Sequence, residues 1–100
     1  MYEIAVHTEF CAAHALTISG SREPTHGHNF RLTITVAAHA LDPDGLVLDF
    51  HALERLVDGV IAPMHNADLN RLPPFDRLSP SAERIAQHIA DRVASLLPAL

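Results

Sequence analysis

The sequence predicts a small α+β domain in which one antiparallel hairpin is packed by two helices, in the order β-β-α-α. Two early stretches have side chains that alternate between apolar and polar, and two later stretches carry apolar residues at helical spacing. Segments rich in Pro and Gly separate them. Because 100 residues is the length of one domain, we expect a single domain over residues 1–100.

The two strands come first. Mostly apolar side chains occupy every second position over Tyr2–Phe10, and the same period of two runs from His28 to Ala38. Residues 11–25 form a long connection for so small a domain and are a candidate functional loop. A hairpin of only two strands leaves both sheet edges unpaired, so we expect the chain to associate with copies of itself through these edges.

The two helices follow. Asp49 can cap the first helix, which is predicted to end before Pro63, and its apolar positions are Leu53, Leu56, Val57, Val60 and Ile61. Ser79 is predicted to cap the second helix, with Pro80 at its first position. The apolar face of this second helix is Ile85, Ile89, Val93, Leu96 and Leu97.

Charge and composition exclude several classes of partner. The chain has seven basic residues, all arginine, against twelve acidic ones, and a net charge of -5, which disfavours binding to nucleic acid. No apolar stretch approaches the roughly 20 residues that span a bilayer, and the N-terminus lacks the pattern of a signal peptide. A single cysteine, Cys11, excludes an internal disulfide. We therefore expect a cytoplasmic protein that binds neither nucleic acid nor membrane.

Histidine is the outlier of the composition, with eight residues. His26 and His28 lie two apart on a predicted strand, so both imidazoles lie on one face. His14 follows the first strand, and pairing of the strands would bring it to the same end. Three imidazoles leave one position of a tetrahedral zinc site open, as in catalytic sites. An ordinary group of solvated histidines stays the alternative at this point.

Five motifs follow one another along the chain: Phe10–Leu16, His26–Phe30, Val47–Phe50, Leu69–Asn70 and Pro80–Ala86. In order and approximate spacing they resemble the 6-pyruvoyltetrahydropterin synthase and 6-carboxytetrahydropterin synthase family, over nearly the whole chain. The resemblance implies the tunnelling fold, in which strands of several subunits close a barrel, commonly in a hexamer of two trimers. It also implies that His14, His26 and His28 hold Zn²⁺, and that the substrate is 7,8-dihydroneopterin triphosphate or a related dihydropterin.

The chain departs from the family at the positions of catalysis. The usual catalytic cysteine lies four residues before the first histidine of His-Gly-His, where this chain has Arg22, and Cys11 on the other strand does not replace it. Some proteins that resemble this family carry a glutamate near that place and cleave the substrate to 6-hydroxymethyl-7,8-dihydropterin, which implies a catalytic role for Glu23. The family's Asp-His pair aligns with residues 65–66, so His65 is a second candidate and Asp68 a third.

The pterin anchor also differs. Family members normally continue after the second helix into another hairpin, whose glutamate holds the pterin, whereas this sequence ends at Leu100. Ser81 and Glu83, at the start of the second helix, are the nearest candidates for substrate binding. An acid in the first helical turn also favours the helix dipole, which is the ordinary interpretation of Glu83.

The resemblance therefore implies a zinc-dependent lyase that eliminates or cleaves the side chain of a dihydropterin, in a queuosine- or folate-type biosynthesis. Glu23, His65 or Asp68 would remove a proton from that side chain. Two alternatives stay open: a member that binds zinc and a pterin-like ligand without turnover, and a small zinc hydrolase. The expected partners are the pterin and further copies of the chain, in a trimer-based homo-oligomer that could be a hexamer.

Overall fold

The computed structural model describes residues 1–98. Within them, two long strands and two α-helices carry the fold, with two very short strands and one 3-10 helix between them. The elements are β1 (Tyr2–His14), β2 (Thr17–Ile18), β3 (Ser21–Arg22), β4 (His26–Ala38), α1 (Phe50–Ile61), the 3-10 helix (Leu69–Arg71) and α2 (Ala82–Leu96). The predicted α+β arrangement of one long hairpin and two helices is confirmed.

β1 and β4 pair antiparallel along their whole length. The register runs from Tyr2 opposite Ala38 at one end to His14 opposite His26 at the other. β2 and β3 form a separate two-residue hairpin inside the connection that the sequence predicts as a loop. The hairpin is thus a long ribbon, with this small hairpin at the end that carries the histidines.

β1 is longer than the predicted strand. It continues beyond Phe10 to His14, which is therefore the last residue of the strand and not the residue after it. The alternation of the sequence stops at Cys11 because three small side chains in a row carry no apolar and polar contrast. Backbone pairing continues nevertheless, with β4 on one edge and with the carbonyl of Ala67, which accepts from the Ala13 N–H at 2.8 Å, on the other.

The two faces of the long hairpin differ in character. Even-numbered side chains such as Phe10 and Ile34 are buried under the helices, whereas odd-numbered ones such as Glu9 and Arg31 are exposed. The helices contribute the remaining buried apolar side chains of this layer, chiefly Leu53, Val57, Val60, Ile61, Ile85, Ile89 and Val93. One apolar core therefore lies between the hairpin and the helix pair.

The helix termini confirm one predicted cap and correct the other. Asp49 caps α1, since its Oδ1 accepts a hydrogen bond from the His51 N–H at 2.9 Å. α2 is capped by Ser81 and not by Ser79, and its Oγ accepts from the Arg84 N–H at 3.2 Å. Pro80 consequently lies before the helix, where its carbonyl is free to bind another group.

The end of α2 also differs from the predicted apolar face. Leu96 is 50% exposed. Leu97 packs against the core as predicted, but it lies outside the helix as its C-terminal cap. Helical periodicity alone cannot tell where a helix leaves the core, because that depends on how far the sheet extends beneath it. No helix in residues 1–98 has the length and apolar character needed to cross a membrane.

The molecule is elongated and its sheet is open. Its extents are 52 × 23 × 18 Å and its radius of gyration is 15.6 Å, against about 13 Å for a compact chain of 100 residues. Residues 65–68 cover the outer edge of β1 only near Cys11 and Ala13. Elsewhere in the described residues, the outer edges of both long strands have no strand beside them.

Leu53 tests the packing of this core. Its side chain is fully buried, so Leu53→Ala leaves a cavity and should lower the free energy of unfolding by about 2–5 kcal/mol. Denaturant unfolding followed by circular dichroism measures this. The matched control is Glu54→Ala on the exposed side of the same helix, which should change stability by less than about 0.5 kcal/mol. Equal effects of the two substitutions would contradict the described core.

Candidate metal centre and active site

Three histidines lie together at one end of the long hairpin. His14 and His26 are the last residue pair of β1 and β4, and His28 follows His26 on the same face of β4. The ring centres are 4.7 Å apart for His14 and His26, 5.9 Å for His14 and His28, and 6.4 Å for His26 and His28. The strand register therefore brings the three predicted metal ligands together.

Backbone carbonyls orient two of these rings. The Nδ1 atom of His14 lies 2.9 Å from the carbonyl oxygen of Pro80, and that of His26 lies 3.3 Å from the carbonyl oxygen of Pro24. Because a carbonyl oxygen can only accept, Nδ1 carries the proton in both rings, and Nε2 of the neutral ring keeps a lone pair. A ring held in this way has the tautomer and orientation of a metal-binding imidazole.

The three histidines suit Zn²⁺ in chemistry and approximate spacing. Three imidazoles on one tetrahedral zinc ion have ring centres about 5 Å apart, given Zn–N bonds of about 2 Å. The observed separations lie on both sides of that value. No group of three His, Cys, Asp or Glu side chains in residues 1–98 forms a ready metal site as it stands. His26 and His28 are both exposed, so their rings have room to turn toward one ion.

Aromatic side chains support the cluster from below. The ring of Phe30 lies 5.2 Å from that of His14 and 4.8 Å from that of His28, measured between centres. Phe10, 2% exposed, stacks on Phe30 at 5.1 Å. The apolar core is thus in contact with the imidazoles of His14 and His28 through Phe30. His14 is itself buried, at 7% exposure.

Glu23 lies beside this cluster, just before β4. Its Oε1 accepts a hydrogen bond from the Leu16 N–H at 3.0 Å, and its own N–H donates to the Leu16 carbonyl at 2.9 Å. The same Oε1 is 3.9 Å from Nδ1 of His26, and the carboxylate side chain is about one-third exposed. Among the described residues, no group donates a hydrogen bond to Oε2. Glu23 is therefore a carboxylate fixed at one oxygen and open at the other.

A depression of about 560 Å³ borders His28, a size within the usual range of small-molecule sites. Gly27 lies at its edge, and a Cβ atom there would meet nothing within 4 Å, so the space is open to a ligand. The polar side chains that line the depression are Cys11, His28, Asn29, Asn66 and Asp68. The Cys11 thiol on β1 donates to Oδ1 of Asn29 on β4 at 2.7 Å. This hydrogen bond joins the two strands where they line the depression.

His65 and Asp68 each have a hydrogen bond that limits what they can do. Nδ1 of His65 accepts from the Cys11 N–H at 3.2 Å, so the proton of the neutral ring is on Nε2 and the ring offers a donor there. Asp68 caps the 3-10 helix through the Asn70 N–H at 3.1 Å, and its Oδ2 lies 3.6 Å from Nε of Arg71. Of the two, Asp68 lines the depression.

The predicted substrate-binding residues are separated by the structure. Ser81 directly follows Pro80, whose carbonyl holds His14, so its backbone lies near the histidine cluster, although its Oγ is engaged as the helix cap. Glu83 is exposed in the first turn of α2 and does not line the depression. This position suits the ordinary interpretation that Glu83 interacts with the helix dipole.

Asn70, for which the sequence predicts no role, makes two hydrogen bonds at this site. Its Oδ1 accepts from the Ala15 N–H at 2.8 Å, and its Nδ2 donates to the Ala15 carbonyl at 3.0 Å. The only signal in the sequence is that Asn70 belongs to one of the five motifs. Asn70 binds the backbone N–H and carbonyl of Ala15. Every residue except proline carries these groups, so the sequence cannot indicate which of them Asn70 binds.

Comparisons with known proteins show the family of the chain. The sequence model of the family described as 6-pyruvoyl tetrahydropterin synthase matches residues 3–100. A dihydroneopterin monophosphate aldolase of Pyrococcus furiosus is 35% identical over 95 residues, which cover 95% of this chain and 77% of that protein. A 6-carboxy-5,6,7,8-tetrahydropterin synthase of Bacillus subtilis is 31% identical over 102 residues, which cover 99% of this chain and 70% of that protein.

A solved structure supports the fold. The 6-pyruvoyl tetrahydropterin synthase of Caenorhabditis elegans superposes with a TM-score of 0.85 at 18% sequence identity, over 98% of this chain and 80% of that one. This likeness confirms the expected tunnelling fold of the single chain, with its long antiparallel hairpin and two helices. The family match, the two sequence relatives and the order of the motifs lead to one conclusion: the chain belongs to the 6-pyruvoyl tetrahydropterin synthase family.

Proposed function

We propose that the chain is a zinc-dependent lyase that cleaves the side chain of a phosphorylated 7,8-dihydroneopterin. The observation that carries the proposal is the Glu23 carboxylate, held through Oε1 beside His26 with Oε2 open. The sequence alone leaves elimination and cleavage both possible. Cleavage is favoured because a glutamate and not a thiol is available before His26, and because the relative that is 35% identical is named a dihydroneopterin monophosphate aldolase.

In the proposed reaction, Glu23 takes the proton of the 2′-hydroxyl group of the side chain. The C1′–C2′ bond then breaks, C2′ becomes the carbonyl carbon of an aldehyde, and the electron pair of the bond passes into the pterin ring. Return of the proton to C1′ completes 6-hydroxymethyl-7,8-dihydropterin, and a monophosphate substrate also gives glycolaldehyde phosphate. The proton that Glu23 removes balances the one that C1′ receives, so no co-reactant is needed.

His14, His26 and His28 are the proposed ligands of Zn²⁺. Support comes from the carbonyls of Pro80 and Pro24, which leave Nε2 of His14 and of His26 with a free lone pair. When bound, the ion supplies Lewis acidity that stabilises negative charge on the side-chain oxygens of the substrate. Because His26 lies beside Glu23, a substrate oxygen held by the three histidines would lie near the Glu23 carboxylate.

The remaining site residues receive narrower roles. His65 is proposed as a hydrogen-bond donor and not as the base, because Nδ1 is engaged by the Cys11 N–H. Asp68 lines the depression and is proposed to accept from N–H groups of the pterin. Ser81 stays a candidate for contact with the substrate through its position next to Pro80. Glu83 is proposed only to stabilise α2.

One alternative function has specific support. By the resemblance of the motifs, Arg22 stands where the family's thiol is expected, and residues 65–66 stand where its Asp-His pair is expected. These departures favour a protein that binds zinc and a pterin-like ligand without turnover. The two functions differ in one observable, which is the formation of product from a bound dihydropterin.

We also propose that the chain forms a trimer-based homo-oligomer. The open edges of β1 and β4 and the elongated shape support this, because unpaired strand edges are usually covered in stable proteins. A location in the cytoplasm and a role in queuosine- or folate-type biosynthesis stay predictions.

The first prediction of this proposal concerns the metal. Protein purified with zinc and desalted should contain about one zinc ion per chain by elemental analysis. His28→Ala removes an exposed ligand and should reduce the zinc content to well below half, and His14→Ala should do the same where it folds. His39→Ala, an exposed histidine just after β4, is the matched control and should keep the wild-type content. Equal zinc in all variants would refute the ligand set.

The second prediction concerns the base. Glu23→Gln keeps an oxygen for the Leu16 N–H but loses the carboxylate, so kcat for release of 6-hydroxymethyl-7,8-dihydropterin should fall by about 10²–10⁴. Chromatography of the pterin product with dihydroneopterin monophosphate as substrate measures the rate. Zinc content should stay the same.

Glu54→Gln on the exposed face of α1 is the control for Glu23→Gln and should keep the wild-type rate. A Glu23→Gln variant as fast as the wild type would exclude Glu23 as the base. Wild-type protein that binds the dihydropterin and forms no product would favour the alternative of binding without turnover.

The third prediction concerns assembly. Light scattering should give a native mass that is a multiple of three chains of 10.9 kDa. Odd-numbered residues of β1 direct their backbone groups away from β4, as the contacts of Cys11 and Ala13 show. Thr35 on β4 is paired with the odd-numbered Ala5, so its backbone N–H and carbonyl point away from β1, toward the outer edge of β4. Thr35→Pro therefore removes an outward N–H without breaking the long hairpin, and the native mass should fall.

Thr35→Val keeps the N–H and the β-branched shape, so it is the matched control and should keep the assembly. A monomeric wild type would contradict the proposal. An unchanged mass in Thr35→Pro would show that the outer edge of β4 is not an interface.

A further inference from the structure

We propose that Asn70 is a positioning residue for the Glu23 carboxylate, acting through the backbone of Ala15 and Leu16 and not through the substrate. This inference rests on the proposed role of Glu23 as the base. It goes beyond that role because it names what holds the base in place.

Three consecutive residues after the core of β1 are each tied to a different segment. His14 is bound through its ring to the Pro80 carbonyl. Ala15 is bound through both backbone groups to the side chain of Asn70. Leu16 is bound through both backbone groups to Glu23, at 3.0 Å to the carboxylate and 2.9 Å to the N–H. His14, a proposed metal ligand, and Leu16, which binds the proposed base Glu23, are therefore only two residues apart, with Ala15 between them.

The segment that carries Glu23 makes its hydrogen bonds mostly within itself. Residues 16–23 close on themselves through the Leu16–Glu23 pair and through β2 and β3, where Thr17 is opposite Arg22. Ile18 at the tip is 62% exposed. Ala15, which directly precedes this segment, is hydrogen-bonded through its N–H and its carbonyl to the side chain of Asn70. The strand ends at His14 and His26 flank this segment, and between His14 and Leu16 the side chain of Asn70 holds the chain at Ala15.

Asn70 is itself held firmly. Its N–H donates to Oδ1 of Asp68 at 3.1 Å, and the neighbouring Leu69 is fully buried in the core. Ala13 pairs with Asp68 in a short parallel bridge. The amide of Asn70 is therefore presented to Ala15 from a fixed turn.

The chemistry of this contact requires an amide. The ladder between β1 and β4 ends at His14 and His26, so the buried Ala15, 2% exposed, has no strand partner for its N–H and C=O. An asparagine side chain offers one acceptor and one donor side by side, as a neighbouring strand would. An aspartate in its place would turn a second acceptor toward the Ala15 carbonyl, and an alanine would leave both backbone groups without a partner.

The test combines kinetics with zinc analysis. Asn70→Ala and Asn70→Asp should lower kcat for pterin release by about 10–100-fold, since a displacement of about 1 Å in a reacting group has an effect of this size. KM should change by less than about threefold, because Asn70 does not touch the substrate. Zinc content should not change, because His14 is held independently by strand pairing and by Pro80. A rise in KM with kcat unchanged would overturn the proposal in favour of a substrate contact.

A double-mutant cycle separates positioning of Glu23 from a general structural role. In the Glu23→Gln background, Asn70→Ala should lower the residual rate by less than about threefold, because the group that it positions is already disabled. An equal fold-loss in both backgrounds would overturn the proposal. Gln87→Ala, which removes an exposed amide that donates to Asp91 on α2, is the control and should leave the rate unchanged.

Amide hydrogen exchange tests the same contact without substrate or zinc. In metal-free Asn70→Ala, the amides of Ala15 and Leu16 should exchange at least about tenfold faster than in the wild type, while those of α2 keep their rates. Asn70→Asp provides the same comparison if the alanine variant does not fold. Unchanged exchange at Leu16 would overturn the inference. Absence of turnover in the wild type would refute the proposed function alone, since the exchange measurement would still decide the role of Asn70.

Discussion

The pairing register of β1 and β4 is the constraint on which the rest of the structure depends. It sets His14 opposite His26 and keeps even-numbered side chains of both strands on the face toward the helices. A slip of one residue would move His14 to the opposite face and would expose Phe10 in the same step. The histidine cluster and the apolar core are therefore consequences of one alignment, and burial of the core stabilises the geometry of the site.

The site lies where the regular hairpin ends. Up to His14, β1 and β4 satisfy the backbone groups that face each other, but beyond it the chain has no paired strand and needs other partners. Side chains and isolated carbonyls take over this role: Asn70 binds Ala15, Glu23 binds Leu16, and the Pro80 carbonyl binds the ring of His14. These contacts satisfy polar groups that would otherwise be buried without partners, and in the same step they orient the groups to which we assign the chemistry.

The motifs resembling the family and the departures from them have different physical meanings. The residues of these motifs around His14, His26 and Asn70 build the hairpin end and its supports. The departures that the resemblance implies, at Arg22 and residues 65–66, would concern groups that move protons. A chain can change its proton-transfer groups while it keeps the supporting structure, because the supports act through backbone contacts that do not depend on them.

Alternation, helical spacing and residue chemistry are local properties, so the α+β class, the two main strands, the cap at Asp49 and the set of histidines can be predicted from the sequence. It could not determine the true length of β1, the cap of α2 at Ser81 or the role of Asn70. Those depend on which backbone groups lack a partner once the hairpin and helices have packed. Glu23 stands between the two cases: its type and spacing are visible in the sequence, but the hydrogen bond from Leu16 that orients its carboxylate exists only in the folded chain.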